Sequence, residues 1–582
     1  MRYQPPEREL NFALSALAGL EEICGLPGFE EVSRELVSSV LGEAARFAAG
    51  VLAPLNRSGD VNPVTLAGGQ VAASPGFADA YQQFVAAGWP AVSGNPGFGG
   101  MGLPECVGMA LSELWAAANL SFSLCPMLSQ GAVEAIESHA SDALREAYLA
   151  KLISGEWAGT MNLTEPQAGS DLAAIKTRAV PEGDHYRVTG SKIFITWGDH
   201  AMTDNIVHLV LARVEEAPDG VAGISMFLVP KFLVAPDGAV GERNDVVPAA
   251  IEHKLGIHAS PTCVMNYGEA GEGAVGYLVG EENRGLAYMF TMMNHARLNV
   301  GVQGVALSER ACQLAHEFAQ QRVQGTPAGG APGPIAQHPD VARMLLLMRV
   351  LTEAARSICL VAASGFDKAH HGADDDARRR ELARGELLIP IAKAWSTEVA
   401  QEVTSLGVQV HGGMGYIEET GAAQLLRDAR ITTIYEGTTG IQANDFVGRK
   451  FLRDGGEQLG LLIADMRATQ EALAAEPQLH NAATAIAAAL TELDVTAQQV
   501  LQRRDDARAV AALAVNFLMG SGTVVGAWLL AKSALAAQRL AADDEQFRRA
   551  KIVSCNFFAE QVLPRAHAHL RAAAAGAGEW LN

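Results

Sequence analysis

A mainly α-helical chain with an inserted β domain is the fold class that the sequence predicts. Three observations predict it. Apolar residues recur at helical spacing from Pro27 to about Ser154. Short β-branched runs bounded by Gly, Asp or Pro fill the stretch from Trp157 to about Gly280. Helical spacing then returns and holds towards the C-terminus. The implied parts are an N-terminal helical domain (1–156), a central antiparallel β-barrel (157–281), a four-helix bundle (282–455) and an extra C-terminal helical domain (456–582).

Each element has its own signal. EVSRELVSSVLGEAARFAAGVLAPLN repeats apolar residues at three and four, and a hairpin-like break follows at Asp60 to Ala73. PGFADAYQQFVAAGW, ALSELWAAANLSFSL and SDALREAYLAKLIS continue as helices. Gly97, Gly99 and Gly102 spell GxGxxG, but no strand precedes them and no β-rich segment follows, so they predict a loop rather than a dinucleotide fold. WAGTMNLTEP, HYRVTGSKIFITWG, NIVHLVLARV, GISMFLVPKF and GAVGYLVG read as strands, with period two in Tyr186 and Val188 and again in Phe194 and Thr196. Long helices follow, broken by a Gly, Pro and Ala-rich loop from Gly325 to Pro339. The tail from about Gly456 is Ala-rich, shows no Gly or Pro cluster that suggests a site, and ends near Trp580, which reads as part of an ordinary packed terminus rather than as a docking anchor.

Composition narrows the function. The chain has 582 residues, 49% of them apolar and 19% charged, ample for several cores. A formal charge of -21 argues against nucleic acid, which needs a basic footprint. Seven scattered cysteines, never in CxxC spacing, argue against a disulfide framework or a zinc site and fit a reducing compartment. No basic n-region with an apolar run opens the chain, and no apolar stretch reads as long enough to cross a bilayer, so a cytoplasmic location is expected.

One stretch organises the rest: ARITTIYEGTTGIQ, from Ala429 to Gln442. Glu436 stands among Ile431, Ile434, Tyr435 and Ile441, which read as wall rather than solvent face. A carboxylate placed among apolar groups holds its proton more tightly, which poises it as a general base. The alternative is a Glu that caps the helix starting near Ile441. MNLTEPQAGSD offers two hydroxyls and a permissive backbone in one turn, at Thr164, Gly169 and Ser170. KIFITWG sets Thr196 on a strand beside aromatics, and QVHGGMG ends a helix in consecutive glycines. AHHGADDD has metal-ligand residue types but reads as a solvated turn, and no metal is expected. GxSxG and Walker A patterns are absent.

These four stretches, in order and spacing, resemble the signatures of the flavin-dependent acyl-CoA dehydrogenases, over about Phe29 to Lys450. The opening YQPP and the extended C-terminal part resemble the longer bacterial subgroup. The resemblance implies FAD as cofactor, an acyl-CoA substrate, an electron-transfer flavoprotein as acceptor and a homodimer. It implies a fatty acyl thioester or 3-(methylthio)propanoyl-CoA as the group oxidised, or an acyl-CoA oxidase on the same scaffold. By motif, Glu436 is implied as the base that takes the α-proton, with Gly437 lining the substrate beside it. Met161, Leu163, Thr164, Gly169 and Ser170 are implied in the flavin turn, Ser170 also near the coenzyme A moiety. Phe194, Ile195 and Thr196 are implied against the isoalloxazine ring. Arg322 is implied at the pyrophosphate. Gln409, Val410, His411, Gly412 and Gly413, with Thr438, Thr439 and Gly440, are implied over the adenine half, partly from a neighbouring subunit. Asn294 and Arg297 match a substrate-contacting pair. The chain departs from many relatives in having Phe194 where they have Trp, Asn294 where they have Asp, and an insertion from Gly325 to Gln337.

Overall fold

Helices open the chain earlier than the sequence pattern suggested. In the computed structural model, which describes residues 3–372, 374–541 and 544–576, α1 (Glu7–Ala13) and α2 (Leu20–Cys24) come before the first expected helix. Leu10, Ala13, Leu14 and Leu17 bury one face of this short segment. Then come α3 (Arg34–Phe47), α4 (Ala53–Val61), α5 (Phe77–Ala86), α6 (Glu105–Ala118), α7 (Leu120–His139) and α8 (Asp142–Ser154). Asn119 and Ser141 cap α7 and α8 through side-chain oxygens that accept from Phe122 N (3.1 Å) and Leu144 N (3.4 Å). The break after α4 is a true hairpin, β1 (Thr65–Ala67) with β2 (Gln70–Ala72). Its two turn residues, Gly68 and Gly69, have φ of 59° and 73°, as a two-residue hairpin turn requires. The GxGxxG stretch is a short turn closed by the Asn95 side chain, with no strand before it.

The β domain comprises β3 (Trp157–Asn162), β4 (Arg178–Glu182), β5 (His185–Thr196), β6 (Asn205–Val214), β7 (Ser225–Pro230), β8 (Phe232–Val234), β9 (Val240–Arg243), β10 (Val246–Ile251), β11 (Thr262–Tyr267) and β12 (Ala274–Leu278). Its main sheet runs β10-β11-β5-β12-β7-β6-β3, and β4 bridges β5 and β6. The expected all-antiparallel arrangement needs correction, because β3 and β4 each pair with β6 in parallel. The chain makes the β4–β5 hairpin after β3 and then re-enters the sheet in the direction of β3, so β6 cannot oppose it. Val188, Ile195, Val210, Phe227, Val229 and Tyr267 fill the interior. The alternation expected across Phe194 and Thr196 is broken. Cys263 pairs with Ile195 but Met265 pairs with Lys192, so β5 carries one extra residue. This bulge re-aims Phe194, which has φ of 60° and is 58% exposed while Ile195 is buried.

The remaining helices are α9 (Gly285–Gln321), α10 (Pro339–His371), α11 (Asp375–His411), α12 (Ala422–Ala429), α13 (Thr439–Asn444), α14 (Glu457–Ala474), α15 (His480–Gln502), α16 (Ala507–Ala537), α17 (Glu545–Phe557) and α18 (Pro564–Ala575). In place of a fourth continuous bundle helix, α11 is followed by the short α12 and α13 and a widened turn over Asp445–Phe451. Trp580 lies outside the described residues.

The chain forms two compact units that interleave along the sequence: residues 1–46, 104–117 and 297–582 in one, and 47–103 and 118–296 in the other. In the first, Arg356 joins three helices by donating to the buried Glu113 (2.6 Å) and the half-buried Glu309 (2.8 Å). The helix α16 packs on α10 and α11 through glycines that the sequence reading passed over. A Cβ at Gly522 would lie 2.8 Å from the Trp395 ring, whose Nε1 donates to Thr523 Oγ1 at 3.1 Å. By length and composition Ala507–Ala537 could cross a bilayer, as could Arg34–Val61, contrary to the expectation from the sequence; 67% of the apolar window of α16 is buried by the protein itself.

Gly301 and Gly304 bring α9 onto α11 in the same way. A Cβ at either would come within 2.6 Å of Ala392 O or 2.7 Å of Ser396 O, both backbone atoms that cannot step aside. Gly301→Ala is therefore expected to destabilise the protein by about 1–3 kcal/mol despite its better helix propensity. The urea midpoint measures this, and an unchanged or higher midpoint would contradict the packing described.

Candidate active site

In the second unit, two of the sequence-marked stretches are stitched together. Thr164 O accepts from Ile193 N at 2.8 Å, and Thr160 Oγ1 donates to Thr196 O at 2.8 Å. The Leu163 carbonyl accepts from Lys192 Nζ at 3.0 Å. That ammonium also pairs with Glu165 at 2.8 Å, and both side chains are buried. Glu165 further accepts from Lys176 N, Thr177 N and Thr177 Oγ1 (2.7, 3.0 and 2.6 Å). Burial pushes the Glu165 carboxyl up, but Lys192 and the hydrogen bonds prevail and hold it down at about 2. The pair was not legible in the sequence: Glu165 stands in a polar turn that also holds Asp171, and only the fold brings Lys192 to it. Met161 and Ile195 are buried, Leu163, Thr164 and Thr196 half-buried, and Gly169 and Ser170 exposed.

In the first unit, Glu436 lies on a strained turn. Its φ is 54° and that of Gly437 is 90°. Gln442, fully buried, donates from Nε2 to Glu436 O (3.0 Å) and Gly437 O (3.4 Å), which fixes both peptides. The phenol of Tyr435 donates to Gln303 Oε1. Thr439 Oγ1 donates to Glu398 Oε1 at 2.6 Å, and Gln401 Nε2 donates to Ala429 O at 2.7 Å, so α11 grips the segment on both sides of the carboxylate. Thr438 caps α13 by accepting from Ile441 N at 3.3 Å; Glu436 does not.

Burial raises the Glu436 carboxyl to about 7, against the pull of Arg297 and Lys393. The apolar wall is thinner than expected, since Ile434 is 47% exposed. Arg297, one turn beyond the half-buried Asn294 on α9, is itself buried and pairs with Asp445 at 3.3 Å. Arg322 follows α9, exposed, with its carbonyl accepting from Ile335 N at 2.7 Å. Gln409, Val410 and His411 end α11; His411 is buried against Phe318 with Nδ1 2.7 Å from Gly407 O, so it closes the helix. Gly412 and Gly413 follow it, exposed, as Thr438 is, while Thr439 and Gly440 are half-buried. In the AHHGADDD turn, Asp374 caps α11 through Ala377 N (2.8 Å) and His371 Nδ1 lies 2.7 Å from Pro27 O, so these groups serve the fold.

The residues fit a flavin nucleotide on their own geometry. Phe194 presents an open aromatic face, a surface that a planar ring would cover. Gly169 leaves bare backbone in the second unit, as Gly412 and Gly413 do in the first, with nothing within 4 Å of where a Cβ would stand.

Comparison with known proteins agrees along most of the chain. Family profiles match in succession: acyl-CoA dehydrogenase N-terminal domain over residues 40–156, middle domain over 160–268 and C-terminal domain over 283–450, then an acetyl-CoA dehydrogenase C-terminal-like domain over 462–582. The 3-methylmercaptopropionyl-CoA dehydrogenase of Ruegeria pomeroyi is 47% identical over 97% of this chain and 96% of its own length. A broad-specificity linear acyl-CoA dehydrogenase of Mycobacterium tuberculosis is 33% identical over 97% of this chain and 96% of its own. The solved acyl-CoA dehydrogenase of Bacillus anthracis, complexed with FAD, superposes with a TM-score of 0.75 at 22% identity, over 96% of this chain and 92% of that one.

Proposed function

The chain belongs to the acyl-CoA dehydrogenase family, and on that premise we propose that its preferred substrate is 3-(methylthio)propanoyl-CoA and that Glu436 is the base. The enzyme is an FAD-dependent oxidoreductase acting on acyl-CoA thioesters. When bound, FAD accepts the hydride that leaves the substrate β-carbon. Glu436 takes the α-proton. The observation that carries this role is a half-buried carboxylate on a backbone clamped by Gln442, with desolvation raising its proton affinity to about 7. Below neutral pH the group is protonated and cannot accept; above it, it can. Gly437 lines the thioester beside it, and Arg297 and Asn294 act on the substrate side of α9. The turn from Met161 to Ser170 and the bulged strand at Phe194, Ile195 and Thr196 hold the flavin, with Lys192 and Glu165 keeping turn and strand in register. Arg322, the residues Gln409 to Gly413, and Thr438 to Gly440 serve the pyrophosphate and adenine.

Electrons pass to an electron-transfer flavoprotein. The working form is a homodimer, a reading supported by Met414, Tyr416 and Ile417, exposed apolar residues beside the Gly412–Gly413 pair. Seven free thiols support a cytoplasmic setting.

The substrate preference follows the 47% identity over nearly the full chain. It is tested with a panel of thioesters and a dye acceptor. kcat/KM for 3-(methylthio)propanoyl-CoA is expected to exceed that for butanoyl-, octanoyl- and palmitoyl-CoA by about tenfold or more, the discrimination a fitted pocket gains from about one methylene. A flat profile, or a maximum at a long chain, would contradict it.

A further inference from the structure

Lys393 is a buried ammonium that the reaction scheme above does not use. It is fully buried in α11, and among the described residues its Nζ has no hydrogen-bond partner. An unpaired charge in a protein interior is costly, so its position calls for a reason. Helix packing, helical spacing and hydrogen bonds locate it. The Gly301–Gly304 face of α9 rests on the carbonyls of Ala392 and Ser396, on either side of Lys393. Arg297 lies one turn earlier on that same α9 face, since 297, 301 and 304 are spaced at four and three. Along α11, Thr397 and Gln401 continue the Lys393 stripe at steps of four, and Gln401 and Glu398 hold the backbone segment that carries Glu436.

We propose that Lys393 is a positioning residue whose charge keeps Glu436 in its carboxylate form and favours release of the proton after turnover. The inference rests on the reading of Glu436 as the base. Two cations act on Glu436, Arg297 and Lys393. Arg297 shares its charge with Asp445, which also lies 3.7 Å from Arg449. The groups that act on Lys393 are Glu436, Arg297 and Glu398, and Glu398 is engaged by Thr439. Lys393 is thus the neighbouring cation without an ion-pair partner of its own. Burial lowers its proton affinity, while the charge of Glu436 holds it up. When Glu436 takes a proton, the ammonium loses its countercharge inside the protein. That penalty disfavours the protonated acid and drives the proton out.

The test is the pH dependence of anaerobic flavin bleaching by acyl-CoA in the holoenzyme, for wild type, Lys393→Met, Lys393→Gln and Lys393→Arg. The two neutral variants are expected to move the acid limb upward by about one pH unit, roughly a tenfold loss of rate on that limb, while the plateau at high pH and the FAD content hold. Lys393→Arg is expected to return the limb to its wild-type place. Denaturant midpoints are measured for all three variants beside the rates, so that a moved limb is told apart from a loss of fold. An unmoved limb in both neutral variants would overturn the proposal, as would loss of rate and FAD in step with falling stability in all three. An inactive Glu436→Gln beside an unmoved limb defeats this inference alone; an active Glu436→Gln defeats the base itself.

Discussion

Glu436→Gln is expected to bind FAD and acyl-CoA normally and to lose turnover by about 10³-fold, inside the hundred- to ten-thousand-fold range of a positioned general base. The amide keeps the size and most contacts of the acid. It leaves the Gln442 clamp on the 436 and 437 carbonyls intact, because that clamp holds backbone and not the side chain. What it removes is a carboxylate beside Arg297 and Lys393 that takes up a proton near neutral pH. The same substitution is expected to abolish the acid limb of the pH profile. In wild type that limb rises through the neutral range, because the folded-state carboxyl sits near 7 and only its ionised form accepts a proton.

Glu165→Ala is expected to carry the largest cost in stability, about 3–5 kcal/mol, with loss of bound FAD. The substitution strands the Lys192 ammonium inside the β domain and orphans the amides of Lys176 and Thr177. It also loosens the turn at Leu163 and Thr164, whose carbonyls accept from Lys192 Nζ and Ile193 N. Glu165 is held well below the usual carboxylate value, so its stabilisation is present above about pH 4 and fades as the pH falls towards 2. The double change Glu165→Leu with Lys192→Met removes both charges together and is expected to recover much of the loss. Chemical denaturation and the flavin-to-protein absorbance ratio measure both effects. A single variant within about 1 kcal/mol of wild type would contradict the role given to the pair.

Much of this was legible in the chain, for identifiable reasons. Glycines and hydroxyls at fixed offsets, as in MNLTEPQAGSD and YEGTTG, mark turns whatever surrounds them, so those stretches stood out. What the sequence hid was set by partners far along the chain. Lys393 reads as an ordinary basic residue in LLIPIAKAW, and only the fold brings it towards a glutamate 43 residues on. Arg297 was legible as a functional residue but not as the partner of Asp445. The bulge at Phe194 was hidden because an extra residue in one strand is defined only by its pairing with β11. The parallel pairing of β3 with β6 was hidden for the same reason: strand direction belongs to the return path, not to the local pattern. The tail looked featureless because Gly520, Gly522 and Gly526 serve close packing on Leu570, Trp395 and Phe558 rather than a turn.

The central claim is that one carboxylate takes the α-proton while the flavin takes the hydride. Its most direct test is a single anaerobic mixing of the Glu436→Gln holoenzyme with 3-(methylthio)propanoyl-CoA, followed by flavin absorbance. The account predicts that the thioester binds and perturbs the spectrum while the flavin stays oxidised over the time in which wild type bleaches. Bleaching at a rate close to wild type would contradict it.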